Sequence, residues 1–337
     1  MTPILTTSLL FLLCGGVILA TGVRLSRYGD VIAEKTGLGG MWIGVLMMSA
    51  VTSLPELVAG ASAVALFDAP ELAVGDIAGS CLFNLLILAF LDFGERVPLS
   101  ARIHQGHVLV AGFGLVQLGF AAFSMLAGAN APAIGWLGLS SVAFVAIHVL
   151  AIRMMFTAER HRQQSSPRDE GTRHAEMSLR RAVWLYVANA AGLVAAAVFL
   201  PGLGERLAAE TGLDQSFVGS LFLAVSTSLP EVVVSVAAAR IGAVDLAVGN
   251  LLGSNIFNIA ILGVDDLLYR PGPLLASVSS VHVLSLVSAM IMTAIAVIGI
   301  TYRAQRKRFR LSWEASAMIA VYVSAIGLVW QLSGSPN

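Results

Sequence analysis

Charged side chains are scarce in this sequence. Only 20 of its 337 residues are lysine or arginine and 20 aspartate or glutamate, 12% in all, about half the share of a soluble domain. Hydrophobic residues make up 57%, so the chain is expected to be solvated by lipid rather than water. The net charge of zero names no partner by itself, and nucleic acid is not expected as one. Cysteine is nearly missing: Cys14 and Cys81 lie in apolar stretches without CxxC or Cys/His spacing, which excludes a disulfide framework and a zinc site. The opening MTPILTTS has no basic n-region and no small-residue cleavage site follows, so the first apolar stretch is expected to remain as an uncleaved helix.

Long apolar runs are plentiful. Ten are long enough to cross a bilayer: 4–22, 39–66, 71–91, 107–128, 132–155, 182–200, 216–239, 244–264, 280–301 and 311–332. With both termini extracytoplasmic, the inner loops take Arg24, Arg27, Lys35, Arg96, Arg102, Arg240, the arginines from Arg153 to Arg181 and the cluster from Arg303 to Arg310. The outer loops keep only Arg206 and Arg270, the asymmetry of the positive-inside rule. The expected class is an all-α polytopic protein of the cell membrane, with ten transmembrane helices and the lipid bilayer as solvent. Asp68, Glu71, Asp245, Asp265 and Asp266 read as interfacial loop charges. His104, His107, His161 and His174 read as loop positions, and His148 and His282 as packed or hydrogen-bonded residues within spans.

The one long polar segment, 157–181, is expected to be a cytoplasmic loop between two five-helix halves, 1–156 and 182–337. Those halves repeat. Thr52, Ser53, Leu54, Pro55 and Glu56 return as Thr227, Ser228, Leu229, Pro230 and Glu231 at an offset of 175, and LAVGDIAGSCLFNLLIL from Leu72 returns as LAVGNLLGSNIFNIAIL from Leu246 at an offset of 174. Because each half holds an odd number of spans, the copies enter the membrane with opposite orientation, the inverted-repeat construction of secondary transporters.

Each copy strands a glutamate in an apolar run, where an ionised carboxylate costs roughly 2.5–3.5 kcal/mol. Each proline lacks an N–H, which frees the carbonyl of Val51 or of Ser226 and predicts a kinked or broken helix. Thr52 and Ser53 precede Glu56 by four and three residues, as Thr227 and Ser228 precede Glu231, which on a helix gathers them on one face. Asp76, Ser80 and Asn84 form a polar stripe on the third span, and Asn250, Ser254 and Asn258 the equivalent stripe on the eighth. Carboxylate, hydroxyl, amide and carbonyl oxygens together suit a hard cation, and Ca2+ and Na+ are alike in size. Two glutamates balance one divalent ion or two monovalent ions. A third monovalent ion needs another negative group.

TSLPE at Thr52 and Thr227, followed by GDIAGSCLFN at Gly75 and GNLLGSNIFN at Gly249, resembles the cation/calcium exchanger superfamily, and within it the sodium/calcium exchanger type. That resemblance implies electrogenic Ca2+/Na+ antiport by alternating access, with no cofactor, no enzyme activity and no obligatory protein partner. It implies ion ligands at Glu56, Glu231, Thr52, Ser53, Thr227, Ser228, Ser80, Asn84, Ser254 and Asn258, and at the carbonyls of Ser49 and Ala224. The first and sixth helices are implied to slide as a gate. Departures from the family pattern are Val51 and Ser226 for glycine, Asp76 at an asparagine position, Cys81 where the other copy keeps Asn255, and Asn258 where some relatives carry aspartate. Asp76, Asn250 and Asn255 are expected to stand behind the direct ligands. H+ or K+ as coupling ion keeps the same fold. An intramembrane hydrolase built on Ser53 or Ser228 lacks a recurring histidine as base, and a nontransporting ion sensor or channel would share the pocket without counterflow.

Overall fold

The computed structural model describes residues 3–93, 97–165, 176–211, 226–307 and 309–333. Its helices are α1 (Pro3–Thr36), α2 (Gly40–Thr52), α3 (Leu54–Leu66), α4 (Pro70–Leu91), α5 (His107–Ala127), α6 (Leu139–Ser165), α7 (Leu179–Thr211), α8 (Leu229–Arg240), α9 (Val244–Leu268), α10 (Val281–Tyr302) and α11 (Trp313–Ser333). A two-residue hairpin, β1 (Ala133–Ile134) and β2 (Leu137–Gly138), precedes α6. Among the described residues eight helices are long and apolar enough to span a membrane, or nine if the bent pair α2 and α3 counts as one. The expected span 216–239 lies partly outside the described residues, which resume at Ser226.

α9 is the hub. It packs against α2, α3, α4, α5, α6 and α8, and the main apolar core is built around it, with Leu82, Leu85, Leu118, Phe144, Leu252, Ile259 and Leu286 buried there. α1 and α7 instead pair with each other and rest against α8. They share two smaller clusters, one around Leu25, Ile32, Leu193 and Val234, the other around Ile18, Ala197 and Leu200.

Several sequence expectations are corrected here. Arg24, Arg27 and Lys35 do not lie in a loop, because α1 continues through Thr36. Leu25 and Ile32, seven residues apart and both buried, carry its apolar stripe past the charges and hold the helix on its neighbours. Thr157–Ser165, expected as the start of the polar loop, extends α6. His107 is the first residue of α5 and fully buried, with its Nε2 3.0 Å from Asp245 Oδ1. His282, expected to be hydrogen-bonded within a span, is so: it lies in the first turn of α10 with its Nε2 2.7 Å from Glu71 Oε2. His148 accords with expectation: Nδ1 meets the Ile256 carbonyl at 3.2 Å and the ring packs edge-on against Phe257. His174 lies outside the described residues.

Asp265 and Asp266 are not interfacial loop charges but are buried in the last turns of α9. Asp266 accepts hydrogen bonds from Leu274 N at 2.6 Å, Gly138 N at 2.8 Å and Ser141 Oγ at 2.5 Å, tying α9 to the hairpin and to the start of α6. Asp92, 174 residues earlier, does the same at the opposite end. It accepts from Leu99 N and Ser312 N, both at 2.7 Å, and pairs with Lys307 at 2.7 Å. The bundle therefore has a hairpin face, which holds Asp266, Glu71 and His282, and a basic face, which holds Asp92, Asp245, Arg303 and Lys307.

Candidate functional site

The two glutamates meet where the helices break. α2 ends at Thr52, Ser53 adopts φ −89° and ψ 4°, and α3 starts at Leu54 with a bend of 40°. Ser228 adopts φ −87° and ψ 4° before α8. Both breaks follow from a proline at the second position of the following helix, where no backbone donor is needed. α2 also contains a turn of π-helix over Gly44–Met48. Its backbone lies directly against Gly249 and Gly253 of α9, where a Cβ would collide with backbone atoms of Met41 and Val45. Composition carries no signal for that turn.

Glu56 and Glu231 are fully buried, as are Thr52, Ser53, Ser80, Thr227, Ser228, Asn250, Ser254 and Asn258. Their hydrogen bonds cross between the copies. Ser53 Oγ donates to Glu231 Oε1 at 3.4 Å, and Ser228 Oγ donates to Glu56 Oε1 at 3.5 Å. Thr52 Oγ1 lies 3.2 Å from Asn250 Oδ1, and Thr227 Oγ1 lies 3.1 Å from Asp76 Oδ1. Within each copy, Ser80 Oγ reaches Glu56 Oε1 at 3.4 Å and Ser254 Oγ reaches Glu231 Oε1 at 3.3 Å. Ser80 and Ser228 meet at 3.0 Å, and Thr52 and Ser254 at 3.3 Å. Thr52, Ser53 and Glu56 were expected to converge within their own copy. The break at Ser53 takes the helical register away, and the hydroxyls turn to the other glutamate.

The remaining expected residues fall around this network. Asn84 Nδ2 donates to Asn255 Oδ1 at 3.0 Å, and Asn255 Nδ2 donates to the Cys81 carbonyl at 3.2 Å. The Ser49 carbonyl accepts from Ser53 N at 2.9 Å and from Thr52 Oγ1 at 3.4 Å. Ser226 is buried and Val51 half-buried, and Ala224 lies outside the described residues. Ser235, absent from the sequence-derived set, accepts from Asn250 Nδ2 at 3.0 Å. An isolated serine in the apolar run after TSLPE was its only signal.

Several buried oxygens have no hydrogen-bond partner among the described residues: Glu56 Oε2, Glu231 Oε2, Asp76 Oδ2 and Asn84 Oδ1, together with the whole amide of Asn258. Buried carboxylate oxygens left unmatched are costly unless something neutralises them. Carboxylate, hydroxyl and amide groups gathered without imidazole or thiolate make a set suited to hard cations.

The sequence matches the family described as sodium/calcium exchanger protein over residues 7–166 and 181–331, which takes in both motif copies. The chain belongs to this family. It is similar to the inner membrane protein YrbG of Escherichia coli, 30% identical across 74% of this chain and 75% of that one. It is also similar to the sodium/calcium exchanger MaX1 of Methanosarcina acetivorans, 25% identical across 97% of this chain and 100% of that one. Its fold matches the sodium-calcium exchanger NCX_Mj in crystals soaked with Na+ and Ca2+, with a TM-score of 0.75 at 21% identity over 96% of this chain and 98% of the other. As a member of the family it is a multi-pass membrane antiporter of Ca2+ and a second cation rather than an enzyme.

Proposed function

We propose that this antiporter moves Ca2+ against Na+ through one alternating-access site centred on Glu56 and Glu231. The observation that carries the reading is the crossed bonding: each glutamate receives a serine hydroxyl from the other copy's TSLPE motif. An ion held between the carboxylates touches both halves at once, so its binding and release are coupled to their relative movement. Thr52, Ser53, Thr227, Ser228, Ser80, Asn84, Ser254 and Asn258 supply hydroxyl and amide oxygens, and the carbonyls of Ser49, Val51, Ala224 and Ser226 complete the shell. Asn250 and Asn255 hold these groups in place.

Asp76 is more than a supporting residue in this reading. Its Oδ1 takes the Thr227 hydroxyl, its Oδ2 is unpartnered, and it lies within electrostatic reach of Glu56. It supplies a third negative charge beside the two glutamates, which is what a third monovalent ion at the site would need.

The halves 1–156 and 182–337 act as inverted repeats joined by the cytoplasmic segment 157–181. Support comes from Asp92 and Asp266, equivalent residues that fasten equivalent elements at opposite ends of the bundle. The basic face, with Arg303, Arg306, Lys307 and Arg310, is cytoplasmic by the positive-inside rule, which leaves the hairpin face and both termini outside. α1 and α7, bound to each other and resting on the bundle through their own small clusters, are built to slide as a unit.

The test is uptake of labelled Ca2+ into proteoliposomes under an imposed gradient of Na+, of H+ or of K+. Uptake driven by Na+ alone is expected. Equal uptake with the proton gradient and none with Na+ would reject the sodium assignment.

A further inference from the structure

Asp265 is a buried carboxylate that the exchange site leaves unused. It is fully buried near the hairpin end of α9, and neither of its oxygens has a hydrogen-bond partner among the described residues. Its neighbour Asp266 is saturated with donors. An unmatched carboxylate at membrane depth costs roughly 2.5–3.5 kcal/mol on insertion scales, so its presence calls for a compensating charge.

The surroundings indicate what that charge is. The carboxylate lies directly on Gly60 of α3: a Cβ built there would stand 3.0 Å from Oδ1 and closer still to Oδ2. Gly60 follows Glu56 by four residues in one helix, which places it about 6 Å further toward the hairpin face. Asp265 follows Asn258 by seven residues in α9, two turns along the same side and about 10 Å further out. Asp76 stands within electrostatic reach of both Asp265 and Glu56, with its Oδ2 unpartnered. The three carboxylates do not close into a tight cage. They mark a line from the hairpin face to the central pair.

The internal repeat provides an independent observation. The equivalents of Asp92 and Asp266 do the same fastening work in both halves, yet one residue earlier Asp265 corresponds to Leu91, and Gly60 corresponds to Ser235. A carboxylate needed only to hold the helices together would be expected at both ends. This one, with the glycine that makes room for it, exists on the hairpin side alone.

We propose that Asp265 and Asp76 form a second cation-binding station, one turn from Glu56 toward the hairpin face, that holds a Ca2+ or Na+ in transit between that face and the central site. The station is weak by construction, with few ligands and no enclosing shell, as suits an ion that must leave again. The proposal rests on the exchange reading above and on its orientation.

The experiment titrates 45Ca2+ against right-side-out and inside-out membrane vesicles carrying the whole protein. Asp265→Asn keeps the shape and removes the charge. It is expected to raise KM for Ca2+ presented at the hairpin face about tenfold, the lower end of what local charge contributes to ion capture. KM at the basic face should move less than about twofold by the same reasoning. Gly60→Ala, which displaces the carboxylate without removing it, should shift the same face in the same direction by less, and it carries the test if Asp265→Asn fails to assemble. Equal shifts at both faces, or no shift at the hairpin face, would overturn the proposal. The exchange reading is judged from the Na+ dependence of the wild-type vesicles, so either idea can fail alone.

Discussion

The two TSLPE copies share a sequence and a broken-helix geometry but not an environment. Around Glu231 the supporting groups are neutral: Thr52 meets the Asn250 amide, and Asn250 is anchored in turn by Ser235. Around Glu56 the matching threonine, Thr227, meets the carboxylate of Asp76, and Gly60 stands where the other copy has the anchoring serine. Duplication alone gives a symmetric site with two charges. Three of the substitutions that break the symmetry, Asp76 against Asn250, Gly60 against Ser235 and Asp265 against Leu91, add negative charge or room on the side of Glu56 that leads to the hairpin face. The ends of the bundle differ as well. At the hairpin end α3 and α9 are in direct contact through Gly60 and Asp265. At the basic end an open, largely apolar groove of about 420 Å³ lies between α4 and α8, lined by Phe83, Ile87, Phe90, Val236 and Arg240.

The most severe test treats the copies as equals. Glu56→Gln and Glu231→Gln should each reduce Na+-driven Ca2+ uptake by at least about a hundredfold, because a buried ion that loses a directly facing carboxylate charge loses roughly 3 kcal/mol or more. Uptake assays beside size-exclusion profiles check this. A glutamine variant that transported normally at either position would end the shared-site account.

Next in size is the comparison of the two fastening aspartates. Asp92 is paired with buried Lys307, whereas Asp266 is held by neutral donors. Lys307→Met should therefore destabilise the protein by about 3–5 kcal/mol, the usual result of orphaning one member of a buried ion pair. Thermal unfolding in detergent reads the loss. A melting temperature unchanged from wild type would show that Asp92 is satisfied by its backbone donors alone.

Much of this was legible in advance, for physical reasons. Apolar runs give spans because lipid demands them, and a proline before a buried glutamate gives a break because a donor is missing. All the side-chain positions read from the two motifs are buried, and most join one network. What escaped depended on distant partners. Asp265 and Asp266 at the end of an apolar run look like interfacial charges until Gly138, Ser141 and Gly60 arrive from 128, 125 and 205 residues away. The extension of α1 through Arg24, Arg27 and Lys35 is invisible to hydropathy, because a helix supported on one side tolerates charge on the other.

Asp76→Asn makes the first copy resemble the second. Asparagine Oδ1 still accepts from Thr227, so the fold should hold. The site loses one negative charge, on the order of 1–2 kcal/mol for charges several ångströms apart at an effective dielectric constant near 20. We expect the half-maximal Na+ concentration to rise about tenfold, with a smaller change for Ca2+, since the state with three monovalent ions depends most on the third carboxylate. Current recordings across a bilayer should show less charge moved per Ca2+. Unchanged charge movement would place the third balancing charge elsewhere.

The smallest effect sharpens the comparison most. Ser53 and Ser228 make mirrored bonds to the opposite glutamate at 3.4 and 3.5 Å, long for hydroxyl donors and therefore modest in strength. Each alanine variant should weaken Ca2+ affinity by roughly three- to tenfold, the range for one hydrogen bond to a charged group once solvation is counted. In either variant each glutamate keeps a hydroxyl from its own copy, Ser80 on Glu56 and Ser254 on Glu231. The two alanine variants should therefore be about equally damaging. The double variant should cost more than the sum of both, because the one ion between the carboxylates feels both losses; a cost equal to the sum would mean that the two bonds act on separate ions. A marked excess over the sum would mean that the two glutamates share their hydroxyls through one ion, and so would measure the coupling between the halves directly.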